Sequence, residues 1–132
     1  MKVINSSGKR KRAIARATLK PGKGNVMVNN KPLSIYQPKM NRLKIQEPLL
    51  IAKSLGSKDV DIYVTIKGGG YNSQTEAARL AIARALLQFD KKLEKPFLEY
   101  DRHLLVADVR RKEASKPNRQ GKARSKRQKS YR

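Results

Sequence analysis

VDIYVTIKGGGYNSQTEAARLAIARALLQF, residues 60–89, carries the two periodicities that decide the fold. Val60, Ile62, Val64 and Ile66 alternate with Asp61, Tyr63, Thr65 and Lys67, the period of a half-buried strand. Gly68-Gly69-Gly70 ends that alternation. Ser73 with Glu76 three residues on is a capping-box signature, and it predicts a helix from about Gln74 to Phe89. The buried stripe of this helix is expected to hold Ala78, Ile82, Ala85, Leu86 and Phe89, with Arg79 and Arg84 elsewhere on its surface.

Working outward, KRKRAIARATL at Lys9–Leu19 reads with period two. Ala13, Ala15, Ala17 and Leu19 then share one face, and Arg10, Arg12, Ile14, Arg16 and Thr18 the other. A helix competes here, because Ala and Arg both favour helices. Pro21-Gly22-Lys23-Gly24-Asn25 is turn chemistry, after which Val26-Met27-Val28 is expected to return as the second strand of a hairpin. Asn29-Asn30 breaks the pattern, and Pro32 opens a short helix through Ser34 and Tyr36 that stops near Pro38. Glu47–Gly56 reads as a compact helix with Pro48 near its start and Gly56 just past its end. After the main helix, a short helical piece is expected at Lys91–Lys95. Pro96 would start a further turn through Tyr100, and Leu104-Leu105-Val106 would close the sheet as an edge strand.

The other decisive stretch is the last one. Val109 to Arg132 holds eleven Lys or Arg, one acid (Glu113) and two sizeable apolar side chains, Val109 and Tyr131. Such a segment cannot offset the entropy of its own ordering, so a polyanion that orders it on contact is its natural partner. Extended, it would reach roughly 80 Å at about 3.3 Å per residue. Its formal charge of +10, taken from the +22 of the whole chain, leaves +12 on residues 1–108. The expected organisation is a basic globular body at 1–108 and an extended basic tail at 109–132. Pro117, Asn118, Gln120 and Gly121 break any continuous recognition helix, so an arm threading between RNA segments fits better than one lying in a DNA major groove.

Charge of this size favours nucleic acid or an anionic membrane surface and argues against an acid-lined catalytic cleft. No stretch approaches the ~20 apolar residues of a spanning helix, and no secretory signal is visible after the basic N-terminal residues. Cysteine is absent, which excludes disulfides and thiolate-ligated zinc and is compatible with a reducing cytoplasm. The sole histidine, His103, has no thiol or second imidazole to work with. Glu94, Lys95, Glu99 and Arg102 suggest a solvated charged face. The triple glycine lacks the Gly-Lys-Ser or Gly-Lys-Thr ending of a mononucleotide loop and the spacing of a dinucleotide fingerprint. It remains a tight turn, with or without close approach of an RNA backbone. No enzyme, cofactor, metal or small-molecule substrate is expected. A free DNA compactor would use the same charge, but needs no motif-bearing body. Lys9-Arg10-Lys11-Arg12 with Arg16 would form a stripe suited to phosphate, since guanidinium groups donate in a planar fork.

Three separated motifs then match something specific. They are Gly8-Lys9-Arg10-Lys11-Arg12-Ala13-Ile14-Ala15-Arg16-Ala17 with the Gly22/Gly24 turn and Val28-Asn29; Gly68-Gly69-Gly70 with Gln74, Ala77, Arg79 and Ala81-Ile82-Ala83-Arg84-Ala85-Leu86; and Asp108, Arg110, Arg111, Glu113, Lys116, Gly121, Ala123-Arg124 with the final Gln128-Lys129-Ser130-Tyr131-Arg132. With these the chain resembles the universal family of the ninth small-subunit ribosomal protein over nearly its whole length. The Lys-Ser-Tyr-Arg ending is similar to the archaeal and eukaryotic branch, and the short N-terminus looks archaeal. Ala114-Ser115-Lys116-Pro117-Asn118 departs from the family's more uniformly basic segment, which leaves the arm's local path open.

The resemblance implies an α+β fold: a two-layer body with a four-stranded sheet, helices on one face and a left-handed βαβ crossover, plus the long tail. It implies a cytoplasmic, ribosome-bound structural protein in the head of the small subunit, contacting ribosomal RNA, neighbouring ribosomal proteins and the anticodon stem of peptidyl-site tRNA. Mapped onto this chain, the ribosomal RNA contacts are Lys9, Arg10, Lys11, Arg12, Arg16, Gly68, Gly69, Gly70 and Arg79. In the arm they are Arg110, Arg111, Lys112, Lys116, Arg119, Lys122, Arg124, Lys126 and Arg127. Lys129, Ser130, Tyr131 and Arg132 would reach the tRNA.

Overall fold

The computed structural model describes residues 2–119, 121–124 and 126–127. Five strands occur in the order β1 (Ile4–Arg10), β2 (Ala13–Pro21), β3 (Val26–Val28), β4 (Lys31–Pro32) and β5 (Val60–Lys67). Three α-helices accompany them: α1 (Lys39–Ser54) between β4 and β5, α2 (Tyr71–Phe89) after β5, and α3 (Glu94–Tyr100). The fold is α+β with a mixed five-stranded sheet in the order β1-β2-β5-β3-β4. The fifth strand, beyond the four expected, is the two-residue β4 on the far edge.

Alternation in β5 and β2 builds the sheet's buried face. Val60, Ile62, Val64 and Ile66 turn inward with Ala13, Ala15, Ala17 and Leu19, while Ile14, Arg16, Tyr63, Thr65 and Lys67 are exposed on the opposite face. The helices thus cover one face and the other is open. The helical alternative for Lys9–Leu19 loses because a strand sets its small residues under α2, where Ala77, Ala78, Ala81 and Ala85 are also buried. Small side chains on both layers bring the backbones close. At Gly8 of β1 a Cβ would sit 2.3 Å from the carbonyl oxygen of Ala77, so only glycine fits this crossing. Next to it, the Ser6 hydroxyl donates to the Ala81 carbonyl at 2.6 Å.

The expected hairpin is corrected. The hairpin is not β2 with β3 but β1 with β2, joined at Lys11-Arg12, with Arg10 opposite Ala13. Pro21–Asn25 instead carries the chain past β5, which lies between β2 and β3 and pairs parallel with β3. β3 and β5 are therefore the two strands of a βαβ unit whose crossover contains α1. Asn29, at φ 50, extends the ladder by donating its N–H to the Val64 carbonyl and accepting from the Ile66 N–H through its side chain. Asparagine tolerates this left-handed backbone better than most residues.

The helices also differ in their bounds. α1 runs through Pro48 rather than starting at it: Asn41, Ile45, Pro48 and Ala52 are all buried on one helical face, and this packing offsets the missing backbone hydrogen bond. Its end is as expected, Gly56 (φ 77) donating to the Lys53 carbonyl and Ser57 to that of Ala52, a Schellman closure. Pro32 leads only into a 3-10 turn at Leu33–Ile35. α2 starts at Tyr71, not Gln74, with Gly70 at its N-cap and no side-chain cap. The Ser73–Glu76 capping box does not form, because Glu76 is turned onto Arg10. Ala78, Ile82, Ala85 and Leu86 are buried, with Phe89 packed against the core. Leu104–Val106 is not a strand. Asp101 accepts the His103 N–H and starts a 3-10 turn at Arg102–Leu104 that drops Leu104 into the core.

Candidate nucleic-acid interface

The β1–β2 turn, the glycine turn before α2 and the start of the C-terminal segment converge on one cleft. The turn packs so tightly on the hairpin that a Cβ at Gly68 would lie 2.6 Å from the Arg12 carbonyl oxygen and one at Gly69 3.0 Å from Ala13. Gly70 differs. A Cβ there would meet nothing within 4 Å. The open side of Gly70 and the uncapped first turn of α2, which holds no acid, face the cleft. Its lining is Arg10, Lys11, Arg12, Gly69, Gly70, Ser73, Arg110, Arg111 and Lys112, without a carboxylate. Lys11 and Arg12 form the hairpin tip and are exposed, as are Arg111 and Lys112. Unpaired amides at a helix start, ringed by cations, offer donors and positive charge to a phosphate.

Arginines a few residues away do something else. Arg10 is buried, against the expectation of a stripe shared with Arg12 and Arg16. The turn at Lys11-Arg12 places it on β1, pointing under α2. Its Nε donates to Glu76 at 2.6 Å, Nη1 to the Arg110 carbonyl at 3.3 Å, and Nη2 lies 3.5 Å from Asp108. Asp108 in turn accepts from Arg110 Nη2 at 2.7 Å and from its backbone N–H at 3.0 Å. Hydrogen bonds from the Arg110 side chain, then from its N–H, hold the Asp108 carboxyl well below the usual carboxylate range. The same pairing pushes the Arg110 guanidinium up. The root of the C-terminal segment is thereby tied to the body.

Arg79 is likewise not on an open surface. It bridges Glu47, through Nη2, and Asp101, through Nη1 at 3.0 Å. Burial pushes the Asp101 carboxyl up, but hydrogen bonds from the His103 N–H and Arg79 outweigh it and leave the carboxyl lowered. Arg84, half-buried, donates to the Leu105 and Ser7 carbonyls. Glu94, Lys95, Glu99 and Arg102 are exposed, as expected. Sequence reasoning missed Asp108 and Glu76 as partners of Arg10. The signal was there in the scarcity of acids: with 32 Lys or Arg against 10 Asp or Glu, each carboxylate has cations to choose from.

Of the remaining expected contacts, Lys9 is exposed on β1 and Arg16 on the open face of the sheet. Farther along, Glu113 holds Lys116 Nζ and Arg124 Nε, each at 2.7 Å, and Ser115 Oγ donates to the Gly121 carbonyl at 2.9 Å. Arg119, Lys122, Lys126 and Arg127 are exposed. Lys129, Ser130, Tyr131 and Arg132 lie outside the described residues. Among the described residues no helix is long and apolar enough to cross a membrane.

A sheet open on one side, with a cation-rich, carboxylate-free cleft at a helix start, defines a basic, anion-binding protein. The comparisons with known proteins make this specific. A family model described as ribosomal protein S9/S16 matches residues 8–132. The small ribosomal subunit protein uS9 of Methanothrix thermoacetophila is 50% identical over 134 residues, covering all of both chains. Those of Methanococcus vannielii and Methanococcus maripaludis strain C5 are 49% and 47% identical, again over the full length of both. The chain belongs to the ribosomal protein S9/S16 family, whose members are structural, non-enzymatic ribosomal components.

Proposed function

We propose that this protein is a constituent of the small ribosomal subunit in the cytoplasm, bound to the ribosomal RNA of the subunit head beside neighbouring ribosomal proteins. Residues 1–108 form the body and residues 109–132 a basic arm that takes its shape from RNA. The observation that carries the reading is the cleft at the start of α2, where Lys11, Arg12, Arg111 and Lys112 surround free helix-start amides with no carboxylate in the lining. Phosphates seated there would position the protein without reading sequence. Release of counterions from the packed RNA supplies the driving force. The arm's last residues, Lys129, Ser130, Tyr131 and Arg132, are the proposed contact with the anticodon stem of peptidyl-site tRNA, whatever the anticodon.

Reconstituted subunits test both halves. The full chain is expected to co-sediment with small subunits after a high-salt wash, and its affinity for a head-domain transcript should fall steeply with salt. Deleting residues 128–132 should weaken peptidyl-site tRNA binding while leaving the subunit assembled. Equal tRNA affinity with and without these residues across a salt series would remove the tRNA role, and failure to co-sediment would remove the ribosomal one.

A further inference from the structure

The cleft and arm leave unused the open face of the sheet. Strand register fixes what it displays. Across β1, β2 and β5, Lys9 stands beside Ile14 and Lys67, and two residues along, Ser7 stands beside Arg16 and Thr65. The next row is Asn5, Thr18 and Tyr63. Beyond it Lys20 pairs with Asp61.

Two features of this face point to one kind of occupant. The first is charge. Lys9, Arg16, Lys20 and Lys67 oppose the single carboxylate of Asp61, whose Oδ1 accepts from the backbone N–H groups of Lys23, Gly24 and Asn25 at 2.9–3.2 Å. The second is the ring of Tyr63, which is 43% exposed with Lys20 Nζ 5.6 Å from its centroid. Ile14, 40% exposed, and Met27 of β3, half-buried and paired with Tyr63, are the other large apolar groups on this face. Three apolar side chains, with the Arg16–Thr65 row standing between Ile14 and the Tyr63–Met27 pair, are too few for a hydrophobic protein interface, whose core would need a contiguous patch. They suit a base, which has a face to stack and an edge to bond; Thr65 offers a hydroxyl for that edge and Asn5 its amide NH2, the Asn5 Oδ1 accepting from the Thr18 hydroxyl at 3.0 Å.

We infer that the open sheet face is a second RNA site, which takes unpaired nucleotides by stacking a base on Tyr63 while Lys20, Arg16 and Lys67 hold the flanking phosphates. Duplex RNA does not fit this role, since its bases are already stacked and a flat sheet enters neither groove. The site rests on the RNA-binding reading above but is separate from the cleft, which lies at the hairpin tip and the start of α2.

The test uses the full chain, a labelled single-stranded RNA octamer carrying a photoreactive thiouridine, and a structured head-domain transcript. Excess unlabelled duplex RNA is added to the octamer reactions to occupy the cleft and the arm. Under those conditions the octamer is expected to remain bound and to cross-link within residues 61–67. Tyr63→Ala should weaken it by roughly fivefold to a hundredfold, the contribution of one stacked base. Tyr63→Phe, which keeps the ring, should retain the affinity. The inference is overturned if the duplex displaces the octamer, if Tyr63→Ala leaves its affinity unchanged, or if cross-links fall only at the hairpin tip and arm, with transcript binding intact in each case. Loss of transcript binding by the unmodified chain would instead overturn the broader RNA reading, and this site with it.

Discussion

Two groups of arginines do opposite work, although Arg10 and Arg12 are only two residues apart. Under α2, Arg10 and Arg79 face Glu76, Asp108, Glu47 and Asp101, a seam that joins β1, α1, α2 and the segment leading into the arm. At the hairpin tip and beyond Asp108, Arg12, Arg111 and Lys112 stand exposed around a cleft with no carboxylate. The seam uses its cations on internal charge and the cleft keeps its own for a partner. Four of the chain's ten acids are placed in the seam. Net charge alone therefore overstates how much of the body is offered to RNA.

The widest separation between the two groups should come from shortening the arm. Deleting residues 113–132 leaves the Asp108–Arg110 clamp in place. Affinity for head-domain RNA is expected to fall by roughly three orders of magnitude at low salt. The salt slope should become shallower by about 0.9 for each phosphate that is no longer neutralised. The thermal midpoint of the body should hardly move. A large fall in that midpoint would mean that the arm belongs to the body's core.

Arg10→Met reverses the pattern. It strands Glu76 and Asp108 beside an apolar side chain, and urea unfolding should show a loss of about 2 kcal/mol, less than breaking a fully buried pair costs. The salt slope of RNA binding should stay as it was. A changed slope with unchanged stability would move Arg10 from the seam to the RNA-facing group.

The glycines before α2 divide in the same way. Gly68→Ala meets the Arg12 carbonyl at a positive φ and should cost about 1–3 kcal/mol in a denaturant titration. Gly70→Ala, at φ −93 with open space around it, should stay within about 0.5 kcal/mol of the parent. Its RNA affinity should nonetheless drop several-fold, because the added methyl intrudes where a phosphate would sit.

Acid addresses the seam last and most mildly. The Asp101 and Asp108 carboxyls are lowered in the folded protein, so their contribution is fully present above the unfolded value of about 3.9 and is lost as pH falls through the folded values. Stability measured from pH 8 to 5 should carry no loss from these two groups, with the decline confined to below about pH 4. A loss between pH 8 and 5 would contradict the placing of these two carboxyls in the seam.

How much of this was legible beforehand follows from what each pattern encodes. β5 and the body of α2 were readable because their periods are long and uninterrupted. The hairpin partner of β2 was not. Asn5, Ser6 and Ser7 carry no apolar alternation, and β1 is held by Gly8 lying on the backbone of α2, a packing between residues distant in sequence. Placing the strand's start at Lys9 ran the basic motif straight through a turn and put Arg10 on the wrong side of the sheet. α1 was cut short at Pro48, since burial of that ring against the core is invisible to local propensity. The cations of the arm and tip were plain from composition. What composition could not tell was which of them already had partners, because that depends on where a few acids are brought by the fold.

Exposed cations at the cleft, and not those of the seam, are the ones assigned to RNA phosphates. The most direct measurement is the slope of log affinity against log salt for a head-domain transcript, compared between the parent chain and the triple variant Arg12→Gln, Arg111→Gln, Lys112→Gln. The slope is expected to become shallower by about 2–3, close to 0.9 for each cation removed from a phosphate, with stability unchanged. A triple variant with the parent's slope and affinity would contradict that assignment.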